Sequence, residues 1–215
     1  MSNLFGENSG VRRFMSRLAD DLLYSILTLI CSVPVVTVGT ALTALFDLIM
    51  RSETHREAGA IVYFRRFAFH FRRTMISWIG LAAADALWIF AFRYVPLLSG
   101  LFRTLLFGFL FFALWVLIML QLYLPPLFVA EREGNFLSLW KEAVFTGIAL
   151  LPRSLLMMLA ALVPVLFYMF DPDFFWSISF FWLFFWPALA ARIFFRLIQK
   201  YFPEFSDLPP ADPEA

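Results

Sequence analysis

Long apolar runs dominate residues 75–195, and the few charged residues fall between runs of roughly twenty residues. A run of ~20 apolar residues forms a helix ~30 Å long, which matches the hydrocarbon core of a bilayer. The pattern therefore predicts an all-α fold, a polytopic transmembrane helical bundle with about five membrane segments. We expect these segments at about 22–50, 75–95, 104–130, 145–170 and 174–191, the fourth interrupted at Pro152 and Pro164.

The first predicted membrane segment contains a short sequence that disfavours helix. Residues 32–40 read Ser-Val-Pro-Val-Val-Thr-Val-Gly-Thr. Pro34 removes a backbone donor and restricts the residue before it, and the β-branched residues that follow are poor helix formers. We predict two short helices, about 22–33 and 39–51, separated by a break at 34–39. The pattern leaves open whether 22–50 crosses the membrane once or re-enters, and therefore on which side the N-terminus lies.

A basic, aromatic stretch follows at 51–73, with six arginines and both histidines of the chain. Its apolar residues recur on one helical face, which is typical of a helix in the headgroup layer of an anionic leaflet. We predict a cytoplasmic amphipathic segment whose surface or docking residues are Arg65, Arg66, Arg72 and Arg73. Nucleic acid is not an expected partner, because spanning helices flank the segment.

The distribution of cations predicts an orientation in the membrane. Six Lys and Arg in 51–73, two in 131–143 and three in 192–200 fall on one side, against only Arg93 and Arg103 on the other. Because cations collect on the cytoplasmic side, we expect a multi-pass protein of the cell inner membrane with a cytoplasmic C-terminus. Residues 1–202 form one domain in this interpretation, and the Pro-rich, acidic residues 203–215 a disordered tail.

Composition adds few candidates for chemistry. Only 15% of the residues are charged, well below the ~25% of soluble domains. The single cysteine is Cys31 and the histidines are His55 and His70, so Cys and His do not occur at the spacing of a zinc site. We therefore predict a non-enzymatic protein with no catalytic residues, metal site or cofactor.

Five polar or small residues inside the predicted segments are ligand or pathway candidates. Asp85 lies near the middle of the second segment, where a carboxyl either serves a pathway or bonds a neighbouring helix or Arg93. Gln121 is interpreted as an interhelical hydrogen-bonding residue or as part of a pathway. The other three open the helix after the break, and they either hold an anionic group or form a kink: Thr37, Gly39 and Thr40.

Two further pairs predict contacts between helices or at a helix end. Asp47 and Arg51, at i and i+4, are expected to form an ion pair. Gly80 and Ala84 form a small-xxx-small pair, which is typical of close helix packing within one chain or in a homo-oligomer.

The N-terminal third resembles the YesL-like family of uncharacterised bacterial integral membrane proteins. The residues that carry the resemblance are Leu4-Phe5-Gly6, Arg13-Phe14 to Leu18, Cys31-Ser-Val-Pro34-Val-Val-Thr37-Val-Gly39, Ala41 to Leu45, and Phe64, Phe67 and Phe71 before Thr74. The chain departs from the family at Ser25 and Thr28, where members often carry Asn and Trp. The resemblance implies a five-helix membrane protein that occurs with carbohydrate-uptake and polysaccharide-utilisation systems, with no established activity.

Two functions follow as hypotheses. The first is a non-enzymatic accessory protein associated with carbohydrate uptake or utilisation, with the lipid bilayer and a sugar transporter complex as partners. The alternative is a small transporter or channel whose polar pathway lies around the 34–40 break and Asp85.

Overall fold

The computed structural model of the chain describes residues 10–54, 59–130, 136–202 and 205. Within these ranges the secondary structure is α-helical, with three short 3₁₀ turns and no strand. The predicted all-α helical bundle is therefore confirmed. The helices are α1 (Gly10–Ser32), α2 (Val38–Thr54), α3 (Ala60–Tyr94), α4 (Gly100–Val129), α5 (Phe136–Ala149), α6 (Leu151–Phe170), α7 (Pro172–Ser177), α8 (Ser179–Phe184) and α9 (Trp186–Ile198).

Three of the described helices are long and apolar enough to cross a bilayer: Ala60–Leu97, Gly100–Val129 and Leu151–Phe170. They correspond to the second, third and fourth predicted segments. The first and fifth predicted segments are each divided among helices: α1, which begins at Gly10 rather than near residue 22, and α2 in one case, and α7, α8 and α9 in the other. The number of passes therefore stays a prediction.

Helix α3 joins the predicted basic segment to the second predicted span without a break. It has 35 residues, and at 1.5 Å per residue it is ~52 Å long. This length exceeds a ~30 Å hydrocarbon core by ~20 Å, which corresponds to about fourteen residues. One end of α3 can thus lie in the headgroup layer while the rest crosses the membrane.

The two faces of α3 are arranged in the opposite sense to those of a helix in a water-soluble protein. Large apolar side chains point outward, and Ile61 and Leu87 are 78% and 68% exposed. The inward stripe is mostly polar and repeats every three or four residues: Tyr63, Arg66, His70, Thr74, Ser77 and Leu81. Because a soluble fold buries the apolar face instead, this surface is suited to lipid.

The predicted break between α1 and α2 is confirmed. Helix α1 ends at Ser32, residues Val35–Thr37 form a 3₁₀ turn, and α2 begins at Val38. The Thr37 hydroxyl lies 2.5 Å from the Cys31 carbonyl oxygen and 2.7 Å from that of Pro34. The Thr37 side chain therefore provides hydrogen bonding to carbonyl groups where the helix stops.

Helix α2 is the centre of the bundle and packs against α1, α3, α4 and α9. Its residues Leu45, Leu48 and Ile49 are almost completely buried. At the end of the chain, the rings of Phe202 and Phe205 stack with centroids 5.1 Å apart, and Phe205 also contacts rings of α2 and α9. The other residues of the predicted disordered tail, 203–204 and 206–215, lie outside the described part of the chain.

The fourth predicted segment divides into α5 and α6 near Pro152, as expected, whereas Pro164 stays inside α6. The junction is fixed by Ser154, whose hydroxyl lies 2.8 Å from the Gly147 carbonyl oxygen and 2.7 Å from the Tyr123 hydroxyl of α4. A buried side chain thus connects α4, α5 and α6 at this point.

Candidate functional site

A buried charge cluster lies between α2 and α3, and we call it the Asp47 cluster: Asp47, Arg51, Arg66 and His70. Arg51 Nε donates to Asp47 Oδ1 at 2.8 Å, so the predicted ion pair is confirmed. His70 Nε2 lies 2.8 Å from Asp47 Oδ2, and Arg66 Nε lies 3.3 Å from the same oxygen. Asp47 and Arg51 are each 1% exposed. Electrostatic attraction is strong at such sites because little water screens it.

The position of Arg66 differs from the predicted surface position. The side chain is 8% exposed and its guanidinium carbon lies 5.2 Å from the Phe69 ring centroid. The reason is helical phase, because Arg66 lies on the inward stripe with Tyr63 and His70, where a carboxylate is available. Arg65, Arg72 and Arg73 are exposed, as predicted for surface residues.

A second ionic group, the Arg192 network, ties three helices together through Asp21, Glu53, Arg192 and Arg196. Arg192 of α9 donates to Asp21 of α1 at 2.5 Å and to Glu53 of α2. Arg196 adds a weaker contact with Glu53 at 3.8 Å. Burial and repulsion from Asp21 raise the pKa of the adjacent Asp20, and the attraction of Arg192 opposes them.

The candidate residues at the break have structural partners within the bundle. The buried Thr74 hydroxyl donates to the His70 carbonyl oxygen, so Thr40 donates to Thr74 across a 2.8 Å contact. Gly39 lies directly against Trp78, and a β-carbon at Gly39 would come within 1.7 Å of the indole ring. Glycine at this position therefore permits the close approach of α2 and α3.

Asp85 and Gln121, the other two candidates, bond to each other between α3 and α4. Gln121 Nε2 donates to Asp85 Oδ2 at 2.8 Å, which confirms the predicted interhelical hydrogen bond. Thr74, the partner of Thr40, precedes Asp85 by eleven residues, or ~16 Å along α3. The break and Asp85 therefore form two separate groups rather than one polar site.

A cavity of about 440 Å³ lies among α2, α3, α4, α6 and α9. Most of its lining is apolar, and the side chains that carry polar atoms are those of Trp78, Gln121 and Trp186. Sequence reasoning missed this cavity, because it forms only when α6 and α9 pack against α2, α3 and α4, and its lining resembles an ordinary core. The only sequence signal was Gln121 itself, a polar residue within an apolar run.

Gly80 and Ala84 are partly buried on α3, and Ala84 packs against the hydrophobic core. One use of this small-xxx-small pair is therefore packing within the chain, and a homo-oligomer stays a prediction.

Among residues 10–54, 59–130, 136–202 and 205, no group of three or more His, Cys, Asp or Glu side chains is placed to hold a metal ion. The resemblance to the YesL-like family stays a prediction. No protein-family model, no curated protein and no solved structure matches this chain.

Proposed function

We propose that this chain is a non-enzymatic accessory protein of the cell inner membrane, associated with carbohydrate uptake or utilisation. The observation that carries the membrane location is the reversed polarity of α3, which turns large aromatic and aliphatic side chains outward and a stripe of polar side chains, including Arg66, His70 and Thr74, inward. Three helices of sufficient length and hydropathy support it. The link to carbohydrate systems is supported only by the family resemblance of the N-terminal third of the chain.

Hydrogen bonds and ion pairs between buried polar side chains of different helices support the non-enzymatic part of the proposal. The Asp47 cluster joins α2 to α3, the Arg192 network joins α1, α2 and α9, and the Tyr123–Ser154 hydrogen bond joins α4 to α6. These groups hold helices together, and each of the contacts consumes hydrogen-bonding capacity that a substrate would need.

The exposed cations at the start of α3 are the proposed docking surface. Arg65, Arg72 and Arg73 are exposed, whereas Arg66 is withdrawn into the Asp47 cluster and does not belong to this surface. Cations at a cytoplasmic membrane surface favour anionic lipid headgroups and acidic partner surfaces.

The transporter alternative has less support, because its two polar groups are separated along α3. The hydroxyls of Thr37 and Thr40 are bonded within the protein, and Asp85 is bonded to Gln121. A pathway through both groups would need these contacts to break.

Topology can be tested with single cysteines, because Cys31 is the only native one. In a C31A background, we expect a membrane-impermeant maleimide to label R72C only after cell lysis and S99C in intact cells. Labelling of R72C in intact cells would reverse the proposed orientation. Resistance of the chain to extraction by alkaline carbonate tests membrane integration itself.

Partner association can be tested by cross-linking in native membranes, followed by purification of the full chain. We expect R65E/R72E/R73E to reduce recovery of a sugar transporter complex, because the substitution reverses the charge of the docking surface. The matched control is R93E/R103E, which reverses the charge of exposed cations at the C-terminal end of α3 and at the start of α4. Recovery of the wild-type chain alone, together with unchanged sugar uptake in its absence, would refute the accessory function.

A further inference from the structure

We propose that the cavity among α2, α3, α4, α6 and α9 binds the acyl chain of a membrane lipid. The inference rests on the membrane location given above and is independent of the link to carbohydrate systems. It gives the bundle a ligand class that the sequence did not indicate.

The chemistry of the lining selects hydrocarbon. The lining includes no charged side chain, and its side-chain polar atoms belong to two indoles and the Gln121 amide. A sugar would bring several hydroxyl groups into this space, and each hydroxyl without a hydrogen-bond partner is strongly unfavourable. An acyl chain has no such requirement.

The size of the cavity agrees with the same ligand. A group the size of a water molecule occupies ~30 Å³, so the cavity of about 440 Å³ has room for about fifteen such groups. This number is comparable to the number of methylene groups in a fatty acyl chain. Gln121 carries the one side-chain amide in the lining, and its Nε2 donates a hydrogen bond to Asp85. The amide therefore keeps a hydrogen-bond partner when hydrocarbon fills the cavity.

The cavity also reaches the lipid-facing surface. Two of its lining residues, Ala161 and Leu162, are exposed on α6, which is one of the three helices suited to span the membrane. Small side chains continue the lining on α9 at Ala190 and Ala191. A lipid tail can therefore enter from the surrounding acyl chains without crossing a polar layer.

The test uses the full chain in phosphatidylcholine vesicles that contain a phosphatidylcholine with a diazirine near the end of one tail. After illumination, mass spectrometry locates the adducts. We expect adducts on Leu45 and Phe46, which line the cavity on α2, the helix at the centre of the bundle. Adducts on the outward-facing Phe111 report the surrounding lipids.

Filling the cavity provides the matched comparison. We expect A161F/A190F to lower the adducts on Leu45 and Phe46 roughly tenfold, equivalent to about 1.4 kcal/mol of binding free energy, and to leave those on Phe111 unchanged. The control A86F adds the same ring at an exposed position of α3 outside the cavity and should change neither. If the double variant does not fold, A161F alone serves, with a smaller decrease.

Two results would overturn the proposal: adducts in the wild type confined to exposed residues, or adducts on Leu45 and Phe46 that persist in the filled variants. Failure of the proposed function gives different results. A chain that carbonate extracts from membranes would lack the adducts on Phe111 as well, and loss of a partner complex would leave the cavity adducts in place.

Discussion

Replacement of Asp47 by asparagine should destabilise the bundle far more than the loss of an ordinary ion pair. Asp47 is 1% exposed and lies within 3.3 Å of nitrogen atoms of Arg51, Arg66 and His70. An exposed pair contributes ~0.2–1 kcal/mol, but removal of one partner from a buried pair costs ~3–5 kcal/mol because the other charge is left uncompensated. Since Asp47 is shared by two guanidinium groups, we expect the upper part of that range.

The assay is thermal unfolding of the full chain in nanodiscs, followed by tryptophan fluorescence. For a chain of 150–250 residues, 1 kcal/mol shifts Tm by ~2–4 °C, so D47N should lower Tm by roughly 10–20 °C. The matched control is D173N, which makes the same substitution at an exposed carboxylate and should shift Tm by less than ~2 °C.

A third variant separates the buried charge from the loss of packing. In D47L/R51L/R66M the carboxylate and both guanidinium groups that it contacts are replaced together by apolar side chains. We expect this variant to be more stable than D47N, as when buried ionic groups are replaced together. Equal Tm values for D47N and D173N would refute the electrostatic reasoning, and a triple variant less stable than D47N would show that packing dominates.

Three further perturbations follow from contacts described above. G39A should lower Tm by several degrees because the new β-carbon meets the Trp78 ring, whereas G108A, where a β-carbon meets nothing within 4 Å, should not; equal effects would contradict the packing argument. D20N should raise Tm at pH 7, because the pKa of Asp20 is raised above 3.8 in the folded state and folding therefore disfavours the ionised carboxylate that asparagine replaces. This gain should vanish as the pH falls to 3.8 and below, where the carboxyl group is protonated in both the folded and the unfolded state. S154A should cost ~1–3 kcal/mol in chemical unfolding, because it leaves the buried carbonyl and tyrosyl partners of that hydroxyl unpaired, and an unchanged midpoint would show that water replaces it.

Features set by neighbouring residues could be predicted from the sequence. The all-α class follows from the length of the apolar runs, the break follows from Pro34 and the β-branched residues after it, and the ion pair of Asp47 with Arg51 follows from i, i+4 spacing. In each case the physical cause lies within one turn or one run of helix.

Features that depend on packing between distant helices could not be predicted. Arg192 contacts Asp21 across 171 positions in the chain, and the central cavity collects side chains from five helices. Arg66 was predicted at the surface because its helix is amphipathic, and only the position of α2 shows that this side chain instead contacts a buried carboxylate. The sequence pattern predicts which residues share a face of a helix, but the neighbouring helices determine what each face contacts.

The polar stripe on α3 has a consequence for biogenesis. A nascent α3 released alone would present Thr74 and Ser77 of the stripe to acyl chains, and it would leave Arg66 and His70, in its headgroup-layer part, without a carboxylate partner. Pairing with α2 supplies Asp47 to Arg66 and His70, and it supplies a hydrogen bond from Thr40 to Thr74. Helices α2 and α3 should therefore leave the translocation machinery as a preassembled hairpin, and the later helices should add to that pair.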